Sequence, residues 1–331
     1  MNKIIPEKLK IGDEIRIIAP SRSMKILGED VIKIAKERLE NMGYKVSFGK
    51  NVMNSINEDF CCGSISDRVE DIQAAFRDKN VKAILTVIGG YNINQLLDYI
   101  DFELIKENPK IFCGFSDITA LSNAIYSKTG LVTYYGPHFS SFGMMHGFDY
   151  TLKYFKGMLT ESKEVMIESS NEWSDDSWYK DQENREFIKN DGMKVINHGK
   201  SEGKIIGGNL CTLNLLQGTE YMPNEDNIIL FLEDDDIVKN EFVREFDRDL
   251  QSLIHSMRGK NIKGLVIGRA EKEANMTENK WMEIIETKKE LKNIPVIINA
   301  NFGHTTPIFT FPIGGYASID TANNIKIKIH D

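Results

Sequence analysis

The chain has 331 residues, of which 41% are hydrophobic and 27% charged, and its formal net charge at pH 7 is -8. This length exceeds what one hydrophobic core usually supports, so two domains are expected. The composition is that of a folded globular protein and excludes a disordered chain. The negative net charge and the lack of a lysine- and arginine-rich block argue against a nucleic-acid polymer as partner. A small molecule or a peptide fits better.

The N-terminal region contains no apolar run long enough for a secretion signal, and no stretch of the sequence approaches the ~20 apolar residues of a membrane span. We therefore expect a cytoplasmic protein that does not bind a membrane. Its four cysteines, Cys61, Cys62, Cys113 and Cys211, include no CxxC pair, and cysteines adjacent in sequence rarely form a disulfide. They are interpreted as reduced thiols with a packing role.

The first half alternates short β-rich runs with amphipathic segments. Strands are predicted at residues 14–19, 45–48, 81–88, 110–113 and 131–135. Between them, apolar residues recur at the spacing of a buried helix face. Repeated strand and helix units are typical of a doubly wound parallel sheet, so residues 1–150 are predicted to form an N-terminal Rossmann-like domain. Sites in such sheets lie beyond the carboxyl ends of the strands.

A polar stretch with NEWSDDSWYKDQENREF at its centre interrupts this pattern, and residues 151–190 are predicted to be a connecting segment and substrate loop. Strands NIILFLE, GLVIG and PVIINANFG then alternate with helices, the first of which is predicted at 238–257. A last hairpin turns near Asn323 and Asn324. Residues 191–331 are therefore predicted to form a C-terminal α/β domain with extra β structure.

Ser116 is the first candidate for chemistry, in the turn GFSD that follows the predicted strand 110–113. Strand, sharp turn and helix form the context in which a serine hydroxyl is raised above a sheet as a nucleophile, although the second glycine of G-x-S-x-G is missing. A serine that only caps the helix explains the same pattern. The spacing alone leaves both interpretations open.

A serine nucleophile needs a base and a third group that orients the base. His304 follows the strand PVIINANFG in a glycine-flanked loop, and Glu233 ends the strand NIILFLE, so both lie at carboxyl ends of strands. An incidental loop histidine and an acidic helix cap are the alternatives. The other histidines occur in contexts typical of a loop or helix surface or lie next to the terminus: His138, His146, His198, His255 and His330.

Metal and cofactor patterns are missing from the sequence. There is no HExxH and no cysteine and histidine set at zinc-finger spacing. Consecutive acidic residues do not provide oxygen ligands at the spacing of a hard-cation loop, and no GxGxxG follows the first strand, which argues against a dehydrogenase. Any hydrolase chemistry is expected to run without metal or cofactor, with activity rising as a histidine of ordinary pKa, ~6.5, loses its proton.

The segments IGGYN, GFSD, FLEDD and NFGHTTP, in this order, resemble the motif set of the LD-carboxypeptidase family of serine peptidases across nearly the whole chain. The resemblance implies that Ser116 is the nucleophile, His304 the general base and then acid, and Glu233 the orienting carboxylate. It also implies an oxyanion hole formed by the backbone N–H groups of Asp117 and Gly90, which a helix start and a glycine turn can supply. A plain strand-to-helix turn is the alternative for the glycines.

Several segments, including EWSDDSWYKDQENREF and IIGGNLCTLNLLQGT, resemble the microcin C immunity (MccF-like) branch of that family more closely than its murein-recycling branch. The first branch implies cleavage of the bond between a peptide's C-terminal aspartate and a nucleotide, and the second implies release of D-Ala from a murein tetrapeptide. The resemblance also implies a homodimer. Substrate contacts are expected at Gly89, Tyr91, Trp173 and Trp178.

For Trp178 the resemblance implies stacking on a nucleobase, whereas for Trp173 an anchoring role in the loop is an equal alternative. The partner is then a small peptide or a peptidyl-nucleotide. A non-catalytic binding protein on the same fold is the alternative from another functional class, and loss of a triad residue would distinguish it.

Overall fold

The computed structural model describes residues 2–161, 164–257 and 261–331. Its β-strands form a six-stranded sheet, an eight-stranded sheet and a two-stranded ribbon. The first sheet is mainly parallel and the second combines a parallel centre with antiparallel strands. The predicted fold class is therefore confirmed: a Rossmann-like parallel sheet is followed by an α/β unit with additional β structure.

Six strands form the first sheet: β1 (Glu14–Ile18), β2 (Lys45–Phe48), β3 (Val81–Thr86), β4 (Ile111–Gly114), β5 (Thr133–Tyr135) and β14 (Phe311–Ile313). Their order is β14-β5-β4-β3-β1-β2. The first five are parallel, as predicted, and β14 pairs antiparallel with β5. Strand β14 is not predicted from the sequence, because this short apolar run lies far along the chain and joins the sheet only through tertiary pairing.

The described residues of the first half form five α-helices: α1 (Glu29–Asn41), α2 (Ile65–Arg77), α3 (Phe102–Glu107), α4 (Ile118–Thr129) and α5 (Asp149–Leu159). Short 3₁₀ helices occur at Met24–Ile26, Ile93–Tyr99 and Ser140–Gly143. Helix α1 buries Val31, Ala35 and Leu39, which share one face at the predicted spacing. The expected limit at residue 150 falls within α5, and the division into domains stays a prediction.

Eight strands form the second sheet: β6 (Val165–Ile167), β9 (Lys194–Asn197), β10 (Lys200–Asn209), β11 (Ile228–Glu233), β12 (Ile262–Gly268), β13 (Val296–Ala300), β15 (Tyr316–Asp320) and β16 (Lys326–His330). Their order is β6-β16-β15-β10-β11-β12-β13-β9. Strands β10 to β13 are parallel. The last hairpin, β15 and β16, turns where the sequence predicts it.

The second half adds α6 (Leu210–Asn214), α7 (Phe242–Ser256) and α8 (Glu278–Glu286), with 3₁₀ turns at Lys239–Glu241, Lys272–Ala274 and Lys289–Leu291. The ribbon pairs β7 (Glu172–Trp173) with β8 (Ile188–Lys189). Helix α7 starts later than predicted, because a 3₁₀ turn precedes it. None of the helices in the described ranges combines the length and apolar character that a bilayer crossing requires.

Helix α4 packs against β10 and so brings the two sheets together. Thr119 Oγ1 accepts a 2.9 Å hydrogen bond from the backbone N–H of Asn209, and Asn123 Nδ2 donates to the carbonyl of Gly207 at 2.9 Å. All four residues are within buried segments. The carboxyl end of β4 therefore faces the carboxyl ends of β11 and β13.

Candidate active site

Ser116 lies in a sharp turn between β4 and α4. Its φ angle is 59°, in the left-handed region that residues other than glycine seldom adopt. A strained turn of this kind projects the serine hydroxyl above the sheet, as the strand-turn-helix pattern predicts. Its Oγ lies 3.0 Å from His304 Nε2.

Glu233 and His304 come from the second sheet. Glu233 is the last residue of β11, and His304 follows β13 in the loop predicted from the sequence. His304 Nδ1 lies 2.8 Å from Glu233 Oε2. The histidine side chain is 20% exposed and the glutamate side chain 2% exposed. The structure thus brings Ser116, His304 and Glu233 into one hydrogen-bonded line.

The charge on Glu233 controls the protonation of His304. Burial acts most strongly on His304 and lowers its pKa, but the charge and hydrogen bond of Glu233, together with the neighbouring carboxylates, outweigh burial and raise that pKa well above its ordinary value. Asp235 and Glu271 act in the same direction. The free site therefore holds the imidazole proton to higher pH than the ordinary histidine pKa expected from the sequence.

The glycine turn IGGYN lies directly against Ser116. A Cβ atom on Gly89 would approach Ser116 Cβ to 2.9 Å, so this position accepts no side chain without movement. Gly90 also lines the cavity. Asp117 is the N-cap of α4. Backbone N–H groups at the start of a helix have no carbonyl partner within the helix, so they can donate to a bound group.

The side chain of Asp117 ties the glycine turn to the serine turn. Asp117 Oδ2 accepts hydrogen bonds from Ser21 Oγ at 2.5 Å and from the backbone N–H groups of Asn92 and Ile93 at 3.1 Å each. Asp117 is 1% exposed, and burial raises the pKa of its carboxyl group. The two turns are therefore held in a fixed relation.

A cavity of about 360 Å³ opens above Ser116 and His304. Trp178 lines it and is half-buried, with the ring of Tyr179 placed edge-on at 6.0 Å. Tyr91 and Trp173 were also expected to contact substrate, but neither is among the described lining residues. Tyr91 is 50% exposed at the surface, and the guanidinium of Arg269 lies 4.9 Å from the centre of the Trp173 ring.

The wall of this cavity is acidic. Arg22 contributes a guanidinium, whereas the described lining residues include five carboxylates: Asp175, Asp176, Asp235, Asp236 and Glu271. Burial raises the pKa of Glu271 to about 7. Glu271 follows strand β12 closely, so the rule that sites lie at strand ends could have found it.

His138 is not at the surface, and its predicted surface placement was wrong. It is 1% exposed, lines the cavity and stacks on Phe115 with ring centroids 4.2 Å apart. Its Nδ1 lies 2.8 Å from Thr86 Oγ1, and burial lowers its pKa to about 3. His138 is therefore neutral. It comes shortly after the carboxyl end of β5, which is the signal that the sequence analysis overlooked.

One group of possible metal ligands lies beside Glu233. Ligand atoms of Cys211, Asp234 and Asp235 are all within 4.8 Å of one another. However, Asp234 already accepts hydrogen bonds from Asn209 Nδ2 and from the N–H of Cys211. Burial also raises the pKa of Asp234 to about 7 and raises that of the Cys211 thiol. The Cys211 thiol, and below pH about 7 the Asp234 carboxyl group, therefore favour their protonated forms, which bind cations poorly.

Comparison with protein families matches both halves of the chain. Residues 15–136 match the LD-carboxypeptidase N-terminal domain, and residues 202–319 match the LD-carboxypeptidase C-terminal domain. The chain belongs to the LD-carboxypeptidase family. The resemblance predicted from its motifs is confirmed, and the chain is a serine-type, carboxypeptidase-like hydrolase.

Relatives from both branches of the family align with almost the entire chain. YocD of Bacillus subtilis is 54% identical over 95% of each chain. The microcin C7 self-immunity protein MccF of Escherichia coli is 30% identical, over 98% of this chain and 95% of MccF. The "Probable murein peptide carboxypeptidase" of Bacillus subtilis is 28% identical, over 97% of this chain and 93% of that protein.

Solved structures agree with the fold. An MccF-like protein from Bacillus anthracis superposes with a TM-score of 0.96 at 54% identity, covering 99% of each chain. The microcin C7 self-immunity protein MccF in complex with aspartyl sulfamoyl adenosine superposes with a TM-score of 0.85 at 29% identity, covering 99% of this chain and 98% of MccF.

Proposed function

We propose that this hydrolase cleaves a terminal amide bond through Ser116, His304 and Glu233. The observation that carries the proposal is the continuous line from Ser116 Oγ to His304 Nε2 at 3.0 Å and from His304 Nδ1 to Glu233 Oε2 at 2.8 Å, at the edge of a substrate-sized cavity. Nucleophile, base and orienting acid are then within hydrogen-bond reach of one another.

In the first half-reaction, neutral His304 carries its proton on Nδ1, which donates to Glu233, and Nε2 accepts the proton of Ser116 as Oγ attacks the carbonyl carbon. The negative charge that develops on the carbonyl oxygen is stabilised by the backbone N–H groups of Asp117 and Gly90. His304 then donates its Nε2 proton to the leaving nitrogen, which leaves an acyl group on Ser116.

In the second half-reaction, water attacks this acyl group after losing a proton to His304 Nε2. The same N–H groups stabilise the second tetrahedral intermediate, and Ser116 regains its proton as the acid product leaves. Glu233 favours the imidazolium that forms in each step. No step requires a metal ion, and we expect activity to persist in EDTA.

We propose an aminoacyl- or peptidyl-nucleotide of the microcin C type as the substrate, which would make the chain a self-immunity hydrolase. The support is Trp178, a half-buried aromatic ring on the cavity wall, since such a ring can stack on a base for ~1 to 3 kcal/mol. The similar MccF structure holds aspartyl sulfamoyl adenosine.

The acidic wall favours a second candidate, a murein tetrapeptide from which D-Ala is released. Asp175 and Asp176 form ion pairs with Lys272 and Arg185. The remaining lining acids, Asp235, Asp236 and deprotonated Glu271, repel a phosphate but attract an ammonium group, which a peptide can carry. The 28% identity to a murein peptide carboxypeptidase is close to the 30% identity to MccF, so overall similarity does not separate the two substrates.

A direct comparison of the two substrates tests the proposal. The purified protein is incubated with aspartyl sulfamoyl adenosine or with a murein tetrapeptide, and the products are followed by mass spectrometry. We expect faster release of sulfamoyl adenosine, and none from Ser116→Ala. Faster release of D-Ala would transfer the assignment to murein, while hydrolysis of neither compound would contradict the proposed activity.

The family resemblance also predicts a homodimer, and the sequence predicts a cytoplasmic location; we propose both. Sedimentation of the purified chain measures the first. Fractionation of cells that express it measures the second.

A further inference from the structure

Tyr135 is a buried residue that touches Glu233 from the side opposite His304. It ends β5, where it pairs with Gly114 of β4 and with Phe311 of β14. Its side chain has no exposed surface, and it is not among the residues that line the cavity. A direct role of its hydroxyl in binding substrate is therefore excluded by position.

The Tyr135 hydroxyl donates a 2.7 Å hydrogen bond to Glu233 Oε1. Because Oε2 of the same carboxylate lies 2.8 Å from His304 Nδ1, each oxygen has its own partner. A tyrosine hydroxyl has a single proton to donate, and burial together with the charge of Glu233 raises the Tyr135 pKa well above its ordinary value. The hydroxyl therefore keeps its proton, and remains a donor, around neutral pH and above.

The ring of Tyr135 is held in place by other aromatic rings. Phe311 stacks on it with centroids 4.8 Å apart and an interplanar angle of 15°. Phe302 contacts it edge-on at 6.2 Å, and Phe115, the neighbour of Ser116, does so at 6.0 Å. Rings packed in this way leave the hydroxyl little freedom to move.

Gly303 closes the other side of the carboxylate. Its φ angle is 108°, and a Cβ atom there would approach Glu233 Oε2 to 2.6 Å. The carboxylate thus lies between the Tyr135 hydroxyl and the backbone of the loop that carries His304. Rotation of Glu233 would break its bond to Tyr135 and leave a buried oxygen unpaired, which is costly.

We propose that Tyr135 is a positioning residue, whose hydroxyl holds the Glu233 carboxylate in the orientation in which Oε2 faces His304. This inference rests on the proposed function, because it assumes that His304 is the base. Tyr135 belongs to the first sheet, which carries Ser116, and its hydroxyl binds the acid supplied by the second sheet as well as interacting with the backbone of Ser116.

The Tyr135→Phe variant removes one donor from the carboxylate and keeps the ring. Without this hydrogen bond, the negative charge of Glu233 acts more strongly on His304. The imidazole then holds its proton more firmly, so the rising limb of kcat/KM moves to higher pH. Misorientation of Glu233 lowers kcat by about tenfold, with KM unchanged. The other titratable groups that face this cluster, Asp234, Asp235, Glu271 and His138, are the same in both proteins.

The neighbouring tyrosine provides a matched control. Tyr134 is also buried and also donates to a carboxylate, that of Asp331 at 2.9 Å, but this contact lies away from the cavity. The Tyr134→Phe variant should lose stability without a change in kcat or in the pH profile. A purely structural role of Tyr135 would give the same pattern as Tyr134.

The test measures kcat, KM, pH profile and melting temperature for Tyr135→Phe in the wild-type and Glu233→Gln backgrounds, with Ser116→Ala alongside. The inference predicts that Tyr135→Phe lowers kcat and shifts the rising limb of kcat/KM in the wild-type background. In the Glu233→Gln background, the same substitution should change neither. Wild-type kinetics of Tyr135→Phe, or an equal loss in both backgrounds, would overturn it while Ser116→Ala is inactive. Activity of Ser116→Ala would instead overturn the proposed function.

A second variant covers the case in which Tyr135→Phe does not fold. Phe311→Leu keeps the hydroxyl and removes the ring that stacks on Tyr135. The inference predicts a lower kcat with unchanged KM and a limb shifted in the same direction, and a wild-type kcat and pH profile would contradict it.

Discussion

Asp117 Oδ2 and Ser21 Oγ lie 2.5 Å apart, although 96 positions separate the two residues in the chain. The same oxygen accepts the backbone N–H groups of Asn92 and Ile93, which follow the glycine turn. A single buried carboxylate thus fixes the positions of the two turns that carry the proposed oxyanion-hole donors. Oxyanion stabilisation depends on donors that are held in position before the reaction begins.

Ser21→Ala should therefore lower kcat by about tenfold with little change in KM, because the Asp117 carboxylate that anchors the glycine turn loses one of its hydrogen-bond donors and is held less firmly. The matched control is Ser23→Ala, which removes a buried hydroxyl from the same segment that donates to the carbonyl of Val52. Steady-state kinetics of both variants decide the matter. Equal effects on kcat would show that the loss reflects general destabilisation.

Glu271 provides a test of the electrostatic environment of His304. Its negative charge raises the His304 pKa, together with Glu233 and Asp235. Because the base must be neutral, a raised pKa places the rising limb of kcat/KM above ~6.5, and Glu271→Gln should move the limb to lower pH. Glu273→Gln, which removes an exposed carboxylate paired with Lys239, is the control. A limb that is unchanged in Glu271→Gln, or moves upward, would contradict this account.

The sequence was sufficient to predict strands β1 to β5 and the turn at Ser116, because apolar runs between helical patterns are local signals. Glu233 and His304 could be proposed from their places at strand ends and from the family motifs. That they meet Ser116 depends on α4 packing against β10, a contact between distant parts of the chain. No local sequence pattern indicates that this contact forms.

Burial of individual side chains is the property that the sequence predicts least well, because it depends on contacts between distant segments. The context of His138 is typical of a loop or helix surface, yet its side chain is 1% exposed beneath Phe115. Tyr135 was included in a predicted strand, but its bond to Glu233 joins two sheets and is invisible in either segment alone. Trp178 was singled out from its rarity and its loop, and the structure places it at the cavity wall.

Trp178 tests the preference for a nucleotide substrate. Trp178→Ala should raise KM for aspartyl sulfamoyl adenosine by roughly tenfold or more, through the loss of stacking energy. A murein tetrapeptide has no base to stack and should be affected far less. Trp173→Ala is the control, since that ring packs against Arg269 away from the cavity lining. Equal losses on both substrates would assign Trp178 a structural role and remove the physical support for the nucleotide.

The central claim is that Ser116 forms a covalent acyl-enzyme, and acid-quenched mass spectrometry of the protein during turnover tests it most directly. We expect the acyl group on the peptide that contains Ser116 in the wild type. In Ser116→Ala we expect no adduct and a turnover lower by about 10³-fold or more, because the triad residues act as a unit. Turnover of folded Ser116→Ala near the wild-type rate, or an acyl group on a different residue of the wild type, would contradict the account.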